Sequence, residues 1–463
     1  MKTYILGIMM AAAIFCGCSS ELEKVNVNPN ETDDPISDYV LSATQKAAGD
    51  LVMSYAMGYH GSILWVQHWA DMNYPSTDQY DVDTEDFVDL WDDGYATIMA
   101  NMDGIIEKDE SDNWVGVASI LRSWIFLQIT MAYGYAPYTE AGQSSTPVYD
   151  SQETILNGLN ADLKEAVSKI STSGDDIGGD LMYDGDLDKW IRFGNSLRLR
   201  IALILADRDS STASGIVSEV ADECMTSNDD IAQFVFTSYP QSNPYYSSVI
   251  YGERYDYAVS EQMISTLESL EDPRLAVFAQ PTENDDTVYT GVKNGNRHDR
   301  GTASLPGEFF NQAETPALFM TYAEVLFAKA EAVARGYLSG DAEDYYEQAI
   351  TASMEQYGIA NEEIEEYLSR SDVAYDSSDF RKSIGVQKWI ALYTEGLDAF
   401  TEWRRLDYPE LEPADNSMLG TGEMPLRFYY PGSEQTLNGV NYTDAIAQQG
   451  AESLTTKLWF DVY

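Results

Sequence analysis

The sequence predicts a mostly α-helical protein: a tetratricopeptide-like scaffold of paired helices with long inserted loops that carry a ligand face. Apolar residues recur at helical spacing in neighbouring segments, which is typical of helix-turn-helix units. Long segments rich in Tyr, Asn, Asp, Gly and Pro separate these pairs. Aromatic residues make up 12% of the chain, a share that indicates a packed body rather than a disordered one.

The first 17 residues predict a lipoprotein signal peptide. Lys2 precedes an apolar run, "YILGIMMAAAIF", which is too short to cross a bilayer. Gly17 stands directly before Cys18, which resembles a bacterial lipobox, whose cysteine is acylated and becomes the mature N-terminus. The alternative is an ordinary secretory peptide that is cleaved nearby. We therefore expect a lipid on Cys18, worth ~0.8 kcal/mol per buried CH₂.

Residues 18–36 have no apolar period and contain two prolines, so they predict a flexible tether. Residues 37–463 are expected to form a single helical domain. No further segment after residue 17 has the appearance of a membrane span. Only Cys224 remains beside the lipidated cysteine in the mature chain, so the core rather than a disulfide must stabilise the protein.

Four helical units follow the tether in order. Ser151 is a plausible N-cap in the first unit and Asp341 in the third, where Gly336 lies near a helix end. The tryptophans within these patterns are expected to pack in the core, and the helical arginines to pair with carboxylates. The units lie at 113–170, 187–225, 319–358 and 383–406; the tryptophans are Trp114, Trp124, Trp190, Trp389 and Trp403, and the arginines Arg198, Arg200, Arg404 and Arg405.

The charge balance excludes one class of partner. The chain has 77 acidic and 27 basic residues, a formal net charge of -50. Because contacts with phosphates require Lys and Arg, no nucleic acid partner is expected. The acidic residues are spread along the whole chain, which indicates a solvated surface on a folded protein.

Four long irregular segments, at 70–86, 237–257, 279–316 and 409–443, interrupt the helices. Loops of this length are uncommon in compact domains unless they are functional. Their aromatic rings, with flanking Asn, Asp, Gln and Arg side chains, could form a ligand surface; the alternative is that the rings pack under their own loops. The candidate ligand-binding residues are Trp69, Asn73, Tyr74, Asp78, Tyr80, Asn243, Tyr245, Tyr246, Tyr289, Asn296, Arg297 and His298.

The sequence contains no known catalytic motif. It has three histidines and neither an HExxH motif, a G-x-S-x-G elbow nor a phosphate loop. "DGDLDKW" begins like a calcium loop, but Lys189 and Asn195 stand where Gly and Glu are needed. We therefore expect no enzyme activity and no cofactor, with an irregular Ca²⁺ site elsewhere as an open possibility.

Several motifs, taken in order, resemble the SusD/RagB family of outer-membrane nutrient-binding lipoproteins, in its SusD-like 2 branch. They include "NVNPN", "AYGYAPYTEA", "YDGDLDKWIRFGNSLRLRIA", "TYAEVLFAKAEAVARG" and "QKWIALYTEGLDAFTEWRRLDYPEL". The resemblance covers nearly the whole mature chain. It implies a tetratricopeptide-like fold whose ligand platform comes from loops such as 70–86 and 279–316.

The resemblance also implies a function. Members of this family are lipid-anchored on the cell surface and deliver nutrient oligomers to a SusC-type TonB-dependent transporter of the outer membrane. The expected ligand is an oligosaccharide, and an oligopeptide is the alternative. Two other classes remain open: a surface glycoside hydrolase, which needs only two carboxylates, and a helical scaffold that binds proteins alone.

Overall fold

The computed structural model describes residues 35–463. The predicted signal peptide, Cys18 and almost all of the predicted tether lie outside these residues. Within the described residues, the first helix begins at Ser37, directly after the predicted tether. The helices are α1 (Ser37–Val52), α2 (Ser62–Trp65), α3 (Val88–Asp93), α4 (Ala100–Lys108), α5 (Asp112–Tyr133), α6 (Gln152–Lys169), α7 (Leu187–Leu205), α8 (Ser210–Val220), α9 (Glu261–Ser269), α10 (Leu275–Phe278), α11 (Tyr322–Ala334), α12 (Ala342–Gln356), α13 (Asn361–Leu368), α14 (Phe380–Ala391), α15 (Gly396–Leu406), α16 (Gly432–Leu437) and α17 (Gly439–Gln449).

The predicted helical pairs are confirmed. Helix α5 packs on α6, α7 on both α6 and α8, α11 on α12, and α14 on α15. The Ser151 hydroxyl accepts a hydrogen bond from the Thr154 amide, and the Asp341 carboxylate from the Glu343 amide, so both residues cap their helices as expected. Gly336 has a φ of 76°, the left-handed conformation that commonly ends a helix.

The strands are short and form two antiparallel pairs. In one, β1 (Trp69–Asp71) pairs with β3 (Tyr257–Val259), with Ala70 opposite Ala258. In the other, β2 (Ala232–Phe234) pairs with β4 (Ala317–Met320). Each pair joins segments that are far apart in sequence, and the first pair ties the loop at 70–86 to the loop at 237–257. The segment 409–443, predicted to be irregular throughout, contains α16 and the start of α17.

The main hydrophobic cluster extends from Leu41 to Phe460. Helix α5 lies within it: by length and composition it is apolar enough to cross a membrane, but 89% of its most apolar window is buried inside the protein. The expectation that no segment after residue 17 resembles a membrane span is therefore corrected, because this core helix is as long and apolar as a membrane-spanning helix.

The predicted core tryptophans are mostly buried. Burial is as expected for Trp114, Trp124, Trp190 and Trp389, and Trp403 is half-buried against Phe400.

The helical arginines are buried, and three of the four pair with carboxylates. Arg200 bonds Glu324 and Asp398, Arg405 bonds Glu331 and Glu402, and Arg198 bonds Glu219. Arg404 differs from the prediction. Its guanidinium donates to three backbone carbonyl groups and lies 3.9 Å from the centre of the Phe400 ring.

A candidate ligand-binding face

Three of the long loops meet around the sheet formed by β1 and β3. The His298 amide donates to the Met72 carbonyl group, and the Val259 amide donates to that of Ser304. A small hydrophobic cluster lies beneath this junction: Ala70, Met72, Ala258, Val292, Ala303 and Leu305, with Tyr255 packed against it. Segments 70–86, 237–257 and 279–316 therefore build one continuous region.

Five tyrosines lie on the loops of this region, and we call them the tyrosine cluster: Tyr74, Tyr239, Tyr246, Tyr251 and Tyr255. The rings of Tyr239 and Tyr251 are stacked, with centroids 4.3 Å apart and planes within 13°. Tyr246 lies 6.4 Å from Tyr251. Tyr74, Tyr239 and Tyr251 are 59%, 52% and 58% exposed, respectively. Exposed rings that neighbours hold in place are suited to stacking on the flat face of a ligand.

Two arginines contact rings of the tyrosine cluster. The Arg254 guanidinium lies 5.9 Å from the Tyr74 ring centre, and that of Arg300 lies 3.8 Å from the Tyr255 ring centre. Arg254 also pairs with Asp256, to which the Asn73 amide group donates at 3.0 Å. Polar groups therefore lie directly beside Tyr74 and Tyr255, where they can bond ligand hydroxyls.

A buried polar layer supports this face. One oxygen of the Asp71 carboxylate accepts from the amides of Asn73 and Tyr74, at 3.0 and 2.7 Å, and so fixes the turn that presents Tyr74. The Asp78 carboxylate accepts from the Asp71 amide and from the Asn294 side chain. Burial raises the pKa of Asp71 to about 6 and the pKa of Asp78 to about 7.

His60 lies in the same layer. One ring nitrogen contacts the Tyr257 hydroxyl at 2.7 Å and the other the Thr77 hydroxyl at 2.5 Å, while the Asp71 carboxylate is 3.7 Å away. Burial lowers the pKa of His60 to about 3, so the ring is neutral at pH 7 and its contact with Asp71 is not an ion pair. This histidine holds loop residues in position from beneath.

The loop backbone is strained beside the tyrosine cluster. Glu253 and Tyr255 have positive φ angles of 52° and 49°, a region that costs residues other than glycine of order 1–3 kcal/mol each. The surrounding bonds hold this conformation: the Arg254 amide donates to the Val249 carbonyl group, and the Met72 amide to that of Asp256. The turn therefore holds Tyr251, Arg254 and Tyr255 in a defined spatial arrangement.

Five of the predicted ligand-binding residues are buried, and for them the prediction is corrected. Trp69 lies in β1, and its indole N–H donates to the Tyr393 hydroxyl; Tyr245 packs 4.9 Å from it. The side chain of Asn243 bonds the Thr315 carbonyl group and the Tyr245 amide, and the Tyr80 hydroxyl accepts from the Ala414 amide. Asp78 is enclosed in the layer described above. These groups build the loops from inside, so a ligand cannot reach them.

The other predicted residues stay predictions. Asn73, Tyr74, Tyr246 and His298 lie in or beside the tyrosine cluster, and Tyr289 is half-buried in the same region. Asn296 donates to Asp415 and so holds the segment after residue 409. Arg297 is exposed, and no ion pair to it is found within residues 35–463.

Sequence reasoning missed Tyr239, Tyr251, Arg254, Tyr255 and Arg300. All five lie in segments that it singled out, and "YGERYDY" contains three of them within five positions. A cluster of rings with an interleaved arginine was the available signal. This pattern did not distinguish the exposed rings, because the same loops also contain rings that the fold buries.

No group of three or more His, Cys, Asp or Glu side chains that could hold a metal ion is found in the described part of the chain. Asp186, in the segment that resembles a calcium loop, instead caps α7 by accepting from the Lys189 amide. An irregular Ca²⁺ site remains an open proposal.

Several solved structures are similar to this chain over most of its length. A structure described as a chitin-binding protein is 28% identical, with a TM-score of 0.84 over 92% of this chain and all of the other. A SusD homologue from Bacteroides uniformis is 22% identical, with a TM-score of 0.83 over 92% and 100% of the two chains. A chitin-binding SusD homologue from Flavobacterium johnsoniae is 24% identical, with a TM-score of 0.79 over 91% and 97%.

No protein with a curated description matches the sequence. The SusD-like 2 family, described as "Starch-binding associating with outer membrane", matches residues 29–431. The match covers most of the chain, and the helical architecture agrees with it. The protein therefore belongs to the SusD-like 2 family.

Proposed function

We propose that this protein binds an oligosaccharide on the tyrosine cluster. The observation that carries the proposal is the group of exposed rings, Tyr74, Tyr239 and Tyr251. Tyr239 and Tyr251 stack on each other, and Tyr74 lies beside Arg254, which pairs with Asp256. Rings cover the apolar faces of sugars, and the polar groups bond sugar hydroxyls. The starch-binding description of the family and the chitin-binding relative favour a neutral glycan as the first ligand to test.

We further propose that the protein is anchored by a lipid on Cys18 at the outer surface of the outer membrane. A binding protein in that place cannot move its ligand inward alone, so it needs a transporter, for which the SusC-type TonB-dependent barrel is our candidate. Gentle detergent extraction should then recover a large β-barrel protein together with the chain. Repeated recovery of the chain alone would argue against this partner.

Binding rather than hydrolysis is proposed because family members bind their ligands without cleaving them. Two of the three histidines, His60 and His68, are buried, with pKa values that burial lowers to about 3. They are out of reach of a substrate in the loops. An oligopeptide ligand is the alternative within the family resemblance.

Calorimetric titration of the purified protein with chito- and malto-oligosaccharides tests the proposal. Tyr251→Ala should weaken binding about tenfold, since stacking on one aromatic side chain has been calibrated for nucleobases at ~1–3 kcal/mol and ~1.4 kcal/mol is tenfold in Kd. Tyr39→Ala is the matched control, because Tyr39 is 73% exposed but lies on α1 outside the cluster.

Equal losses in the two variants would contradict the assignment of the face. Binding of peptides but of no glycan would favour the alternative ligand. Release of shorter sugars during the titration would indicate a hydrolase.

A further inference from the structure

A small cavity, lined mostly by buried residues, lies where α1, α5, β4 and α15 meet, away from the tyrosine cluster. Its volume is about 10 Å³, close to the ~10–15 Å³ that one water molecule requires by the same measure. Gly396 packs here against the segment Tyr55–Tyr59, since a Cβ at this position would lie 2.4 Å from the Met57 carbonyl oxygen. The lining residues are Val52, Met57, Trp124, Gln128, Leu318, Glu395, Gly396, Leu397 and Asp398.

Four buried polar atoms on the lining residues have no hydrogen-bond partner within the described chain: Trp124 Nε1, Gln128 Oε1 and both carboxyl oxygens of Glu395. The three side chains are at most 4% exposed. Buried polar groups in native proteins almost always have a partner. Unpartnered groups from separate elements that line one cavity therefore indicate a bound polar species.

The charged side chains around Glu395 form ion pairs with one another. Arg200, on α7, bonds Glu324 of α11 and Asp398 of α15. Lys388, on α14, bonds Glu402 at 2.9 Å and lies 4.0 Å from Glu324. The Tyr357 hydroxyl, also buried and unpartnered, is within electrostatic reach of Glu395. An ionised Glu395 would be an additional buried anion without a cation of its own, which is strongly unfavourable.

The hydrogen-bonding inventory favours a neutral carboxyl group and a water molecule. A protonated Glu395 and the two other side chains offer two donors and two acceptors, and water offers two of each. An ionised Glu395 would leave one donor against three acceptors. A metal cation fits less well, because the Trp124 N–H donor would point its positive end at the ion.

We propose that Glu395 is protonated in the folded protein and that it holds, together with Trp124 and Gln128, one internal water molecule. The site binds a proton and a water molecule between α5, α15 and the segment Tyr55–Tyr59. Burial, and the neighbouring Glu324 and Asp398, hold the pKa of Glu395 well above its usual range. The resulting contribution to stability is complete below the unfolded pKa, near 4.5, and is lost as the pH rises through the folded pKa.

Glu395→Gln tests the protonation, because the amide has the shape of the neutral acid and cannot ionise. Above about pH 5.5, and for as long as Glu395 stays protonated in the folded state, the unfolding constant of the wild type should rise about tenfold per pH unit relative to that of the variant. Glu365→Gln, at an exposed position of α13, is the control and should give a constant ratio. A constant ratio for Glu395→Gln as well would overturn the proposal.

A high-resolution crystal structure tests the water. The expected result is one water-sized peak within hydrogen-bond distance of Trp124 Nε1 and Gln128 Oε1. Trp124→Phe removes the indole donor, so the peak should weaken or disappear in that variant. An empty cavity in the wild type, or a metal ion in place of the water, would overturn the proposal.

Discussion

Arg405 in the helical scaffold and Arg300 in the ligand loops make contacts of the same length. Each places a guanidinium nitrogen 2.6 Å from a carboxylate oxygen, of Glu331 and Glu283 respectively. In the first pair both side chains are 1% exposed, and in the second they are 43% and 48% exposed. Burial decides the energetic role: the core pair cannot lose one member without leaving a buried charge, whereas water can replace either member of the loop pair.

The tyrosines show the same contrast within a few residues. Tyr245 is 2% exposed and packs on Trp69, whereas Tyr251 is 58% exposed and stacks on Tyr239. One ring holds the loop together, and the other is free to meet a ligand. Residue type alone therefore says little about role in these loops.

The largest effect is expected when the core pair is broken. Arg405→Ala leaves the buried carboxylates of Glu331 and Glu402 without this partner and should lower the free energy of unfolding by ~3–5 kcal/mol. Arg300→Ala, the matched change in the loops, should cost at most ~1 kcal/mol. Chemical denaturation of both variants measures the difference. Similar losses would mean that the loop pair is as important to folding as the core pair.

A smaller effect is expected from the layer beneath the tyrosine cluster. The pKa of Asp71 is about 6 in the folded protein, above its ordinary value of 3.8. The folded state thus binds the proton more tightly, and the contribution to stability is complete below about pH 4 and is lost as the pH rises through about 6. The total is of order 3 kcal/mol, at 1.36 kcal/mol per unit of pKa.

Asp71→Asn isolates this contribution. It keeps the oxygen that accepts from Asn73 and Tyr74, but it cannot titrate. The difference in the free energy of unfolding between wild type and variant should therefore change between about pH 4 and 6 and be constant above about pH 7. A difference that does not depend on pH would show that Asp71 is ionised throughout this range.

The helical scaffold could be predicted from sequence because helical periodicity is a local property. Ser151, Asp341 and Gly336 were assigned to helix ends from their neighbours alone, and the structure confirms them. The pairing of Arg200 and Arg405 with carboxylates followed from the scarcity of basic residues. Arg404 departed from it because its partners are backbone carbonyl groups, which a sequence pattern does not display.

The candidate face was predicted by region and only in part by residue, since Tyr74 and Tyr246 were named but Tyr239, Tyr251 and Tyr255 were not. Trp69 and Tyr80 were expected to contact a ligand, but Tyr245 and Tyr393 pack against the first, and the segment after residue 409 covers the second. Both covers come from distant parts of the chain. Exposure in a loop is thus a tertiary property, and this is why Tyr239 and Tyr251 were missed while buried neighbours were chosen.

The smallest effect on stability, and a clear one on binding, is expected at Tyr74. Its ring is 59% exposed, and its main contact is Arg254, 5.9 Å from the ring centre, an arrangement worth ~0.5–1 kcal/mol at exposed sites. Tyr74→Ala should therefore change the free energy of unfolding by less than ~1 kcal/mol but weaken oligosaccharide binding several-fold. Tyr74→Phe keeps the ring and should bind almost as the wild type does.

Tyr245→Ala should behave oppositely and cost ~3–5 kcal/mol of stability, as truncation of a core aromatic does. Thermal melts paired with calorimetric titration separate the two behaviours, and an early melt of Tyr74→Ala with unchanged affinity would move this ring from the ligand face to the loop core.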